Sequence, residues 1–401
     1  KLGNQNQAVS HFIHSLKNLA KSNLNIISKN YILRRQPDFI FSTFSRSKNH
    51  DVNYDFIVDP LIETINSKSV AIEYSDKSSI NLFNLLLGKK TKVYPVKVPS
   101  MKLIQHSENI DKKISAAVKE YFHKEYNFQS LISNSLSTFT TNYNYYVDLF
   151  SIHKPKAIIS TDDGSFKGIY KAARESNIPV LEIQHGASPG SILWNYDQRI
   201  NHKKYCYLPS HFLTFSDYWS KNLNFPVKNQ FSIGNDSLYS TEIRGKTGVV
   251  FVSNNKLNKE FTEYAKNLEL LNPDLTIYFK LHPQDFSLET EISKQFSRTK
   301  IILLTDQMST EKIFENCQHI VAQRSSFIYS ALQAGKTIHI FKKYNYDWDK
   351  ELIKKSKLFL TSKNLDQNIK KVNSLSSFEK DQTIYFEKFD QKKLLNIIKN
   401  L

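Results

Sequence analysis

The sequence predicts an α/β protein with two successive domains, each a Rossmann-like doubly wound parallel sheet, facing a shared cleft. Length is one reason, because 401 residues exceed what a single hydrophobic core usually serves. The second reason is that short apolar runs alternate with helix-like segments, as parallel strands joined by helices require. This alternation pauses over residues 234–246, where Gly, Asn, Asp and Ser cluster, and then restarts. The pause is the predicted linker, and the predicted division is 1–235, 236–385 and a helical tail at 386–401.

The first half of the chain contains the strands of the first predicted sheet. A compact apolar run that ends in polar residues predicts a buried strand over residues 38–46. Residues 157–161, 165–176 and 179–184 form the clearest strand–helix–strand unit, with polar residues at both strand exits. The other predicted elements are a helix at 56–65, a strand at 70–74, a helical region at 109–151, a strand at 212–216, a helix at 217–223 and a strand at 230–233.

The second half repeats the same rhythm. Strands are predicted at 249–252, 276–281, 301–304, 319–322 and 337–341, and helices at 259–271, 288–296, 310–316 and 327–334. In open parallel sheets, ligands bind beyond the carboxyl ends of the strands. The residues that follow each strand are therefore the candidates for chemistry.

The charge of the chain restricts its partners. Lys and Arg number 55 against 38 Asp and Glu, which leaves a net charge of +17 that attracts anions such as nucleotides or acidic lipids. Much of the excess is dispersed or lies in C-terminal pairs, and no nucleic-acid-binding module accompanies it. We therefore expect a basic face exposed to solvent, and the second interpretation is that this face contacts an acidic membrane surface. No nucleic acid is expected as a partner.

Two cysteines in 401 residues, Cys206 and Cys317, show no metal-binding spacing. No run reaches the roughly 20 apolar residues of a membrane span, and the opening residues show no signal-peptide pattern. The sequence thus predicts a cytoplasmic protein, with the inner face of the plasma membrane as the site of any peripheral contact.

Two motifs follow strands of the first half. Asp162-Asp163-Gly164 precedes a predicted helix, so its carboxylates fit either helix capping or the role of a general base. Gln184, His185 and Gly186 lie at the next strand exit, where glycine admits a ligand close to the backbone and a neutral imidazole accepts a proton. A structural hydrogen bond is the alternative role of His185.

Two further motifs follow strands of the second half. Lys280-Leu281-His282-Pro283 ends a strand, because proline stops the ladder, and presents His282 for donation to a phosphate. Arg324, Ser325 and Ser326 precede a helix and predict an anion site, although one serine would suffice as a plain N-cap. The alternative roles are an exposed histidine in a turn and simple N-capping by either serine.

Two weaker signals come from other strand exits. Arg46 follows the first strand and is a candidate for acceptor contact, although its place in a loop explains it equally well. Tyr218 and Trp219 start a predicted helix, where an aromatic pair more often belongs to the core than to a sugar-stacking platform.

The combined order of these motifs resembles bacterial GT-B glycosyltransferases that build capsules, lipopolysaccharides and teichoic acids, over about residues 155–340. Within that group, the acidic pair with glycine, the His-Pro pair and the paired serines look like motifs of sialyl-, polysialyl- and Kdo-transferases. The resemblance implies a CMP-linked donor, with His282, Pro283, Lys280, Arg324, Ser325 and Ser326 at the nucleotide. The Gln184-His185-Gly186 motif is more similar to CDP-glycerol polymerising transferases, which would make His185 the base in place of Asp162 or Asp163.

Either resemblance implies the same reaction class. An acceptor hydroxyl, deprotonated by Asp163 or His185, attacks the anomeric carbon while the second-domain residues stabilise the departing nucleotide. We expect the transfer of a 2-keto acid sugar, such as Kdo or sialic acid, from CMP to a glycan or lipid-linked acceptor. No cofactor beyond the donor is expected, and no metal, because no Asp-x-Asp pair stands in a setting suited to Mg²⁺. Transferases that use UDP-hexose or CDP-glycerol and a UDP-GlcNAc 2-epimerase-like enzyme are the alternatives.

Overall fold

The computed structural model describes fourteen stretches of the chain. They are residues 36–43, 47–49, 52–73, 94–95, 108–123, 128–161, 167–186, 207–243, 245–254, 256–305, 308–341, 359–361, 365–373 and 383–401. All structural statements below concern these residues.

The first sheet has seven parallel strands, and a short antiparallel pair, β2 with β3, lies outside it. The strands in chain order are β1 Phe39–Thr43, β2 Ser47–Asn49, β3 Val52–Tyr54, β4 Ser69–Glu73, β5 Tyr94–Pro95, β6 Ala157–Ser160, β7 Val180–Ile183, β8 His211–Thr214 and β9 Asn229–Ser232. The helices of this region are α1 Asp59–Ile65, α2 Glu108–Phe122, α3 Gln129–Ile152, α4 Lys167–Glu175 and α5 Asp217–Asn222. The strand order is β5-β4-β1-β6-β7-β8-β9.

Helices cover both faces of this sheet because successive strand side chains point in opposite directions. Ile40 points to the face that α3 and α4 cover, whereas Phe39 and Phe41 point to the face that α1 covers. The approach of α3 to α4 depends on Gly168, because a Cβ there would lie 2.5 Å from the Phe139 carbonyl oxygen. The arrangement confirms the predicted doubly wound first domain.

The second sheet has six parallel strands in the order β12-β11-β10-β13-β14-β15. The strands are β10 Gly248–Val252, β11 Ile277–Lys280, β12 Ile302–Leu304, β13 Cys317–Val321, β14 Thr337–Phe341 and β15 Phe359–Thr361. The helices are α6 Asn258–Leu271, α7 Glu289–Phe296, α8 Thr310–Asn316, α9 Phe327–Gln333 and α10 Leu365–Asn373, with a 3₁₀ turn at Pro283–Leu288. Side chains of α6, α7 and α10 pack on one face, and those of α8 and α9 on the other, so this domain is also doubly wound.

Several predicted boundaries differ from the structure. The helical region predicted at 109–151 is two helices, α2 and α3, and residues 124–127 between them lie outside the described part. The first strand ends at Thr43, and the rest of its predicted span, 44–46, also lies outside the described residues. Strands β5 and β15 were not predicted, because two or three residues give too short a pattern to recognise.

The C-terminal segment returns to the first domain and ends in α11, Gln391–Lys399. Glu387 N donates to the Phe215 carbonyl (2.9 Å), and Asp390 N donates to the Ile233 carbonyl (2.8 Å). Leu394 and Ile397 of α11 are buried in the same core as α1. The tail predicted at 386–401 is therefore packed against the first domain.

An aromatic cluster joins the two domains. The Trp219 ring lies 5.1 Å from the Tyr329 ring of the second domain and 6.3 Å from the Tyr385 ring of the tail, between centroids. Trp219 is fully buried, and its indole N–H donates to the Tyr385 carbonyl (2.6 Å). This is the core role expected of an aromatic pair at a helix start.

None of the helices within the described ranges is both long and apolar enough to cross a membrane.

Candidate nucleotide-binding cleft

Three loops of the second domain meet at the carboxyl ends of β10, β11 and β13. Ser253 follows β10 directly, His282 lies two residues after the end of β11, and Gln323 to Ser326 connect β13 to α9. Because β10 is hydrogen-bonded to both β11 and β13, these loops are neighbours in the sheet. The predicted motifs around His282 and Ser325 are thus brought to one edge of one sheet.

Hydrogen bonds fix the loop that carries His282. Its backbone N–H donates to Ser253 Oγ (2.6 Å), and Ser253 Oγ donates to Asp285 Oδ2 (2.7 Å). Asn258 Nδ2 also donates to Asp285 Oδ2 (3.3 Å), and the Asp285 N–H donates to the His282 carbonyl (2.7 Å). The loop is therefore held by a buried polar network rather than by packing alone.

His282 is exposed. The surrounding protein still removes enough water to lower the pKa of His282 below its usual value, and Lys280 adds to this while Asp285 opposes it. Lys280, the last residue of β11, is half-buried, and Pro283 begins the 3₁₀ turn. At neutral pH the imidazole is uncharged and can donate one N–H to an anionic ligand.

The loop after β13 changes direction sharply before α9. Arg324 adopts a positive φ of 55°, which turns the chain sharply before α9, and its side chain is exposed. Ser325 Oγ accepts the Phe327 N–H (3.3 Å), whereas Ser326 is the N-cap residue of α9 and makes no capping hydrogen bond with its side chain. Asn254 Nδ2 donates to the Gln323 carbonyl (3.1 Å), which ties this loop to the one after β10.

Across the cleft, the loop after β7 is built around a buried glutamine. Gln184 has no exposed surface; its Nε2 donates to the Gly186 carbonyl (2.9 Å) and its Oε1 accepts the Phe215 N–H (3.0 Å). Both ends of this amide therefore hold main chain, and the acceptor contact predicted for Gln184 stays a prediction. His185 and Gly186 are partly exposed beside it.

Gly186 and Ser326 bring the two domains together. A Cβ built on Gly186 would lie 3.6 Å from Ser326 Oγ. These residues belong to two motifs 140 positions apart that the sequence singled out separately. Their approach places the His185 loop opposite the start of α9.

Three predicted site residues, Arg46, Asp162 and Asp163, lie outside the described residues. What the structure describes is the support just before the acidic pair. Ser160 Oγ lies 2.5 Å from Tyr170 Oη, which donates to Glu182 Oε2 (3.0 Å), and Ser160 and Glu182 are fully buried. This network joins the ends of β6 and β7, the two strands whose exits carry the acidic and histidine motifs.

Sequence reasoning missed Ser253, Asn258 and Asp285. A usable signal was present, because Ser253-Asn254-Asn255 directly follows the buried strand β10, as the recognised motifs follow theirs. Asp285 carried no such signal, since it lies two residues beyond the His-Pro pair and acts through contacts made by the fold.

Two doubly wound parallel domains whose strand exits face each other define the GT-B fold, and this chain has it. No family model matches the sequence, and no curated protein matches it.

Solved structures of the same architecture are similar to the chain. UDP-GlcNAc 2-epimerase from Methanocaldococcus jannaschii, in complex with UDP-GlcNAc and UDP, has a TM-score of 0.53 at 13% identity, covering 90% of this chain and 98% of that one. MnaA of S. aureus with UDP gives 0.53 at 11% identity, covering 90% and 95%. UDP-N-acetylglucosamine 2-epimerase from Rickettsia bellii gives 0.50 at 13% identity, covering 90% and 96%. At such low identity the likeness establishes the fold alone.

Proposed function

We propose that the chain is a nucleotide-sugar-dependent glycosyltransferase with the nucleotide on the second domain and the acceptor on the first. The observation that carries the proposal is the approach of Gly186, after a strand of the first sheet, to Ser326, after a strand of the second. A donor phosphate at Ser325 and Ser326 would place the attached sugar in the gap beside Gly186 and His185. Binding between domains at strand exits is the rule for open α/β sheets.

Each side of the cleft has a distinct chemical task in this proposal. The uncharged imidazole of His282 donates an N–H to the nucleotide phosphate, and the phosphate charge in turn favours protonation of the ring as the leaving group departs. Arg324, exposed at the same edge, adds positive charge. On the opposite side, His185 or Asp163 removes the proton of the acceptor hydroxyl, which attacks the anomeric carbon.

For the donor we infer a CMP-linked 2-keto acid sugar, with UDP-hexose and CDP-glycerol as the alternatives. Support for CMP comes from the resemblance of the His282-Pro283 and Ser325-Ser326 motifs to those of sialyl-, polysialyl- and Kdo-transferases. We infer that the acceptor is a glycan or lipid-linked oligosaccharide of a bacterial surface polysaccharide.

A thermal-shift screen against CMP, CDP, UDP, GDP and ADP, with and without Mg²⁺, tests the proposal. A nucleotide at a hundred times its dissociation constant stabilises a protein by about 2.7 kcal/mol. We expect a metal-independent shift with CMP that His282→Ala abolishes. A shift with UDP alone would reject the CMP donor and keep the enzyme class, and no shift with any nucleotide would reject the function.

A 2-epimerase is the second candidate, favoured by the architecture shared with the UDP-GlcNAc 2-epimerases of TM-score 0.50 and 0.53. An epimerase needs no acceptor, so incubation with UDP-GlcNAc alone separates the two functions. Conversion to a UDP-sugar of the same mass and altered retention would establish the epimerase. A transferase leaves the donor unchanged until an acceptor is added.

A further inference from the structure

Asp285 is a buried carboxylate outside the predicted site. It is 5% exposed and lies in the 3₁₀ turn that follows His282. A buried carboxylate is costly unless hydrogen bonds compensate its lost hydration. Two donors, Ser253 Oγ at 2.7 Å and Asn258 Nδ2 at 3.3 Å, converge on its Oδ2.

The direction of these bonds decides how the His282 loop is held. A serine hydroxyl has one proton, and Ser253 gives it to Asp285, so its lone pairs are left to accept. The donor they receive is the His282 N–H at 2.6 Å. Asp285 also donates its own N–H to the His282 carbonyl at 2.7 Å. Asp285 thus fixes the peptide units on both sides of His282 without touching the cleft itself.

We propose that Asp285 is the positioning residue of the nucleotide loop: it orients Ser253, which locks the His282 backbone and aims the imidazole at the nucleotide phosphate. The inference rests on the proposed function, because it assumes that His282 contacts a nucleotide. It adds a residue that binds no ligand and sets affinity through a second side chain.

A double-mutant cycle measured by calorimetry, with CMP and UDP as probes, tests the relay. We expect Asp285→Leu and Ser253→Ala each to weaken binding about tenfold, the scale of one oriented hydrogen bond, and the double variant to be no weaker than either. Asp285→Asn should stay within about twofold of the parent, because its amide oxygen can accept both bonds in place of Oδ2.

Asp59→Leu is the matched control. Asp59 is equally buried at 5%, and its Oδ2 accepts the Asp55 N–H (3.0 Å), but it lies in the first domain. We expect it to lower Tm without changing nucleotide affinity.

Three results would overturn the relay: unchanged affinity in Asp285→Leu, losses that add in the double variant, or an Asp285→Asn defect as large as that of Asp285→Leu. If Asp285→Leu does not fold, equal affinities of Ser253→Ala and Asp285→Asn overturn it. Failure of the parent protein to bind CMP, CDP, UDP, GDP or ADP instead rejects the proposed function, and the inference with it.

Discussion

His339 should make the protein sensitive to acid. It lies on β14 in the core of the second domain, fully buried, with its Nε2 3.2 Å from Nδ1 of the equally buried His319 on β13. Burial, together with a smaller effect of the neighbouring His319, lowers the pKa of His339 from its usual value of 6.5 to about 3. The native protein therefore keeps this ring neutral in moderately acidic solution.

The sign of the effect follows from proton binding. Above pH about 6.5 the ring is neutral in both the native and the unfolded chain, and its contribution to stability is fully present. Below that pH the unfolded chain binds a proton that the native state refuses, so stability falls until the pH nears 3. A pH of about 5 lies about 1.5 units below the pKa of this histidine in the unfolded chain. At 1.36 kcal/mol per unit, the free energy of unfolding therefore falls by about 2 kcal/mol.

The variant His339→Asn removes the titration while keeping a polar side chain beside His319. Urea denaturation, followed by circular dichroism near pH 7 and pH 5, gives the free energy of unfolding of parent and variant. We expect the parent to lose about 2 kcal/mol more than the variant on acidification. His123→Asn, which replaces an exposed histidine, is the control and should follow the parent. Equal acid losses in the parent and His339→Asn would refute the reasoning.

Three further outcomes are expected. Gly234→Ala should lower the free energy of unfolding, measured by urea denaturation, by at least about 2 kcal/mol, because residue 234 has a φ of 72° and a Cβ would lie 2.1 Å from the Lys388 carbonyl oxygen. Gly335→Ala should lower it by only about 1 kcal/mol, because residue 335 has a similar φ of 75° but the nearest atom to a Cβ would be 3.8 Å away. Gly186→Leu should fill the gap opposite Ser326 and reduce turnover about a hundredfold, whereas Gly186→Ala keeps an ordinary contact and most activity; equal activities would place the sugar elsewhere. If the basic face contacts an acidic membrane, the second interpretation of the net charge of +17, the protein should co-sediment with liposomes that contain acidic lipid and be released at high salt; indifference to lipid charge would reject that interpretation.

The prediction of the fold succeeded because its signal is local. Strands such as β10 are buried on both faces, so a continuous apolar run marks them, and the polar residue after each run marks the sheet edge. The boundary within the long helical region was less accurate, because no glycine or proline occurs between residues 108 and 152 to mark where α2 ends and α3 begins. The very short strands β5 and β15 depend on a neighbouring strand for their existence.

The sequence by itself determined the two α/β domains and the strand exits where His185, His282 and Ser326 lie, since apolar spacing and turn residues are properties of short segments. Only the tertiary structure decided that Gly186 faces Ser326, that Asp285 holds His282 through Ser253, and that the tail returns to the first domain. The residues in these contacts are far apart in the sequence. Ser253 and His282 are 29 positions apart, Gly186 and Ser326 are 140 apart, and Phe215 and Glu387 are 172 apart. Such pairings depend on how whole sheets pack, and no local pattern encodes them.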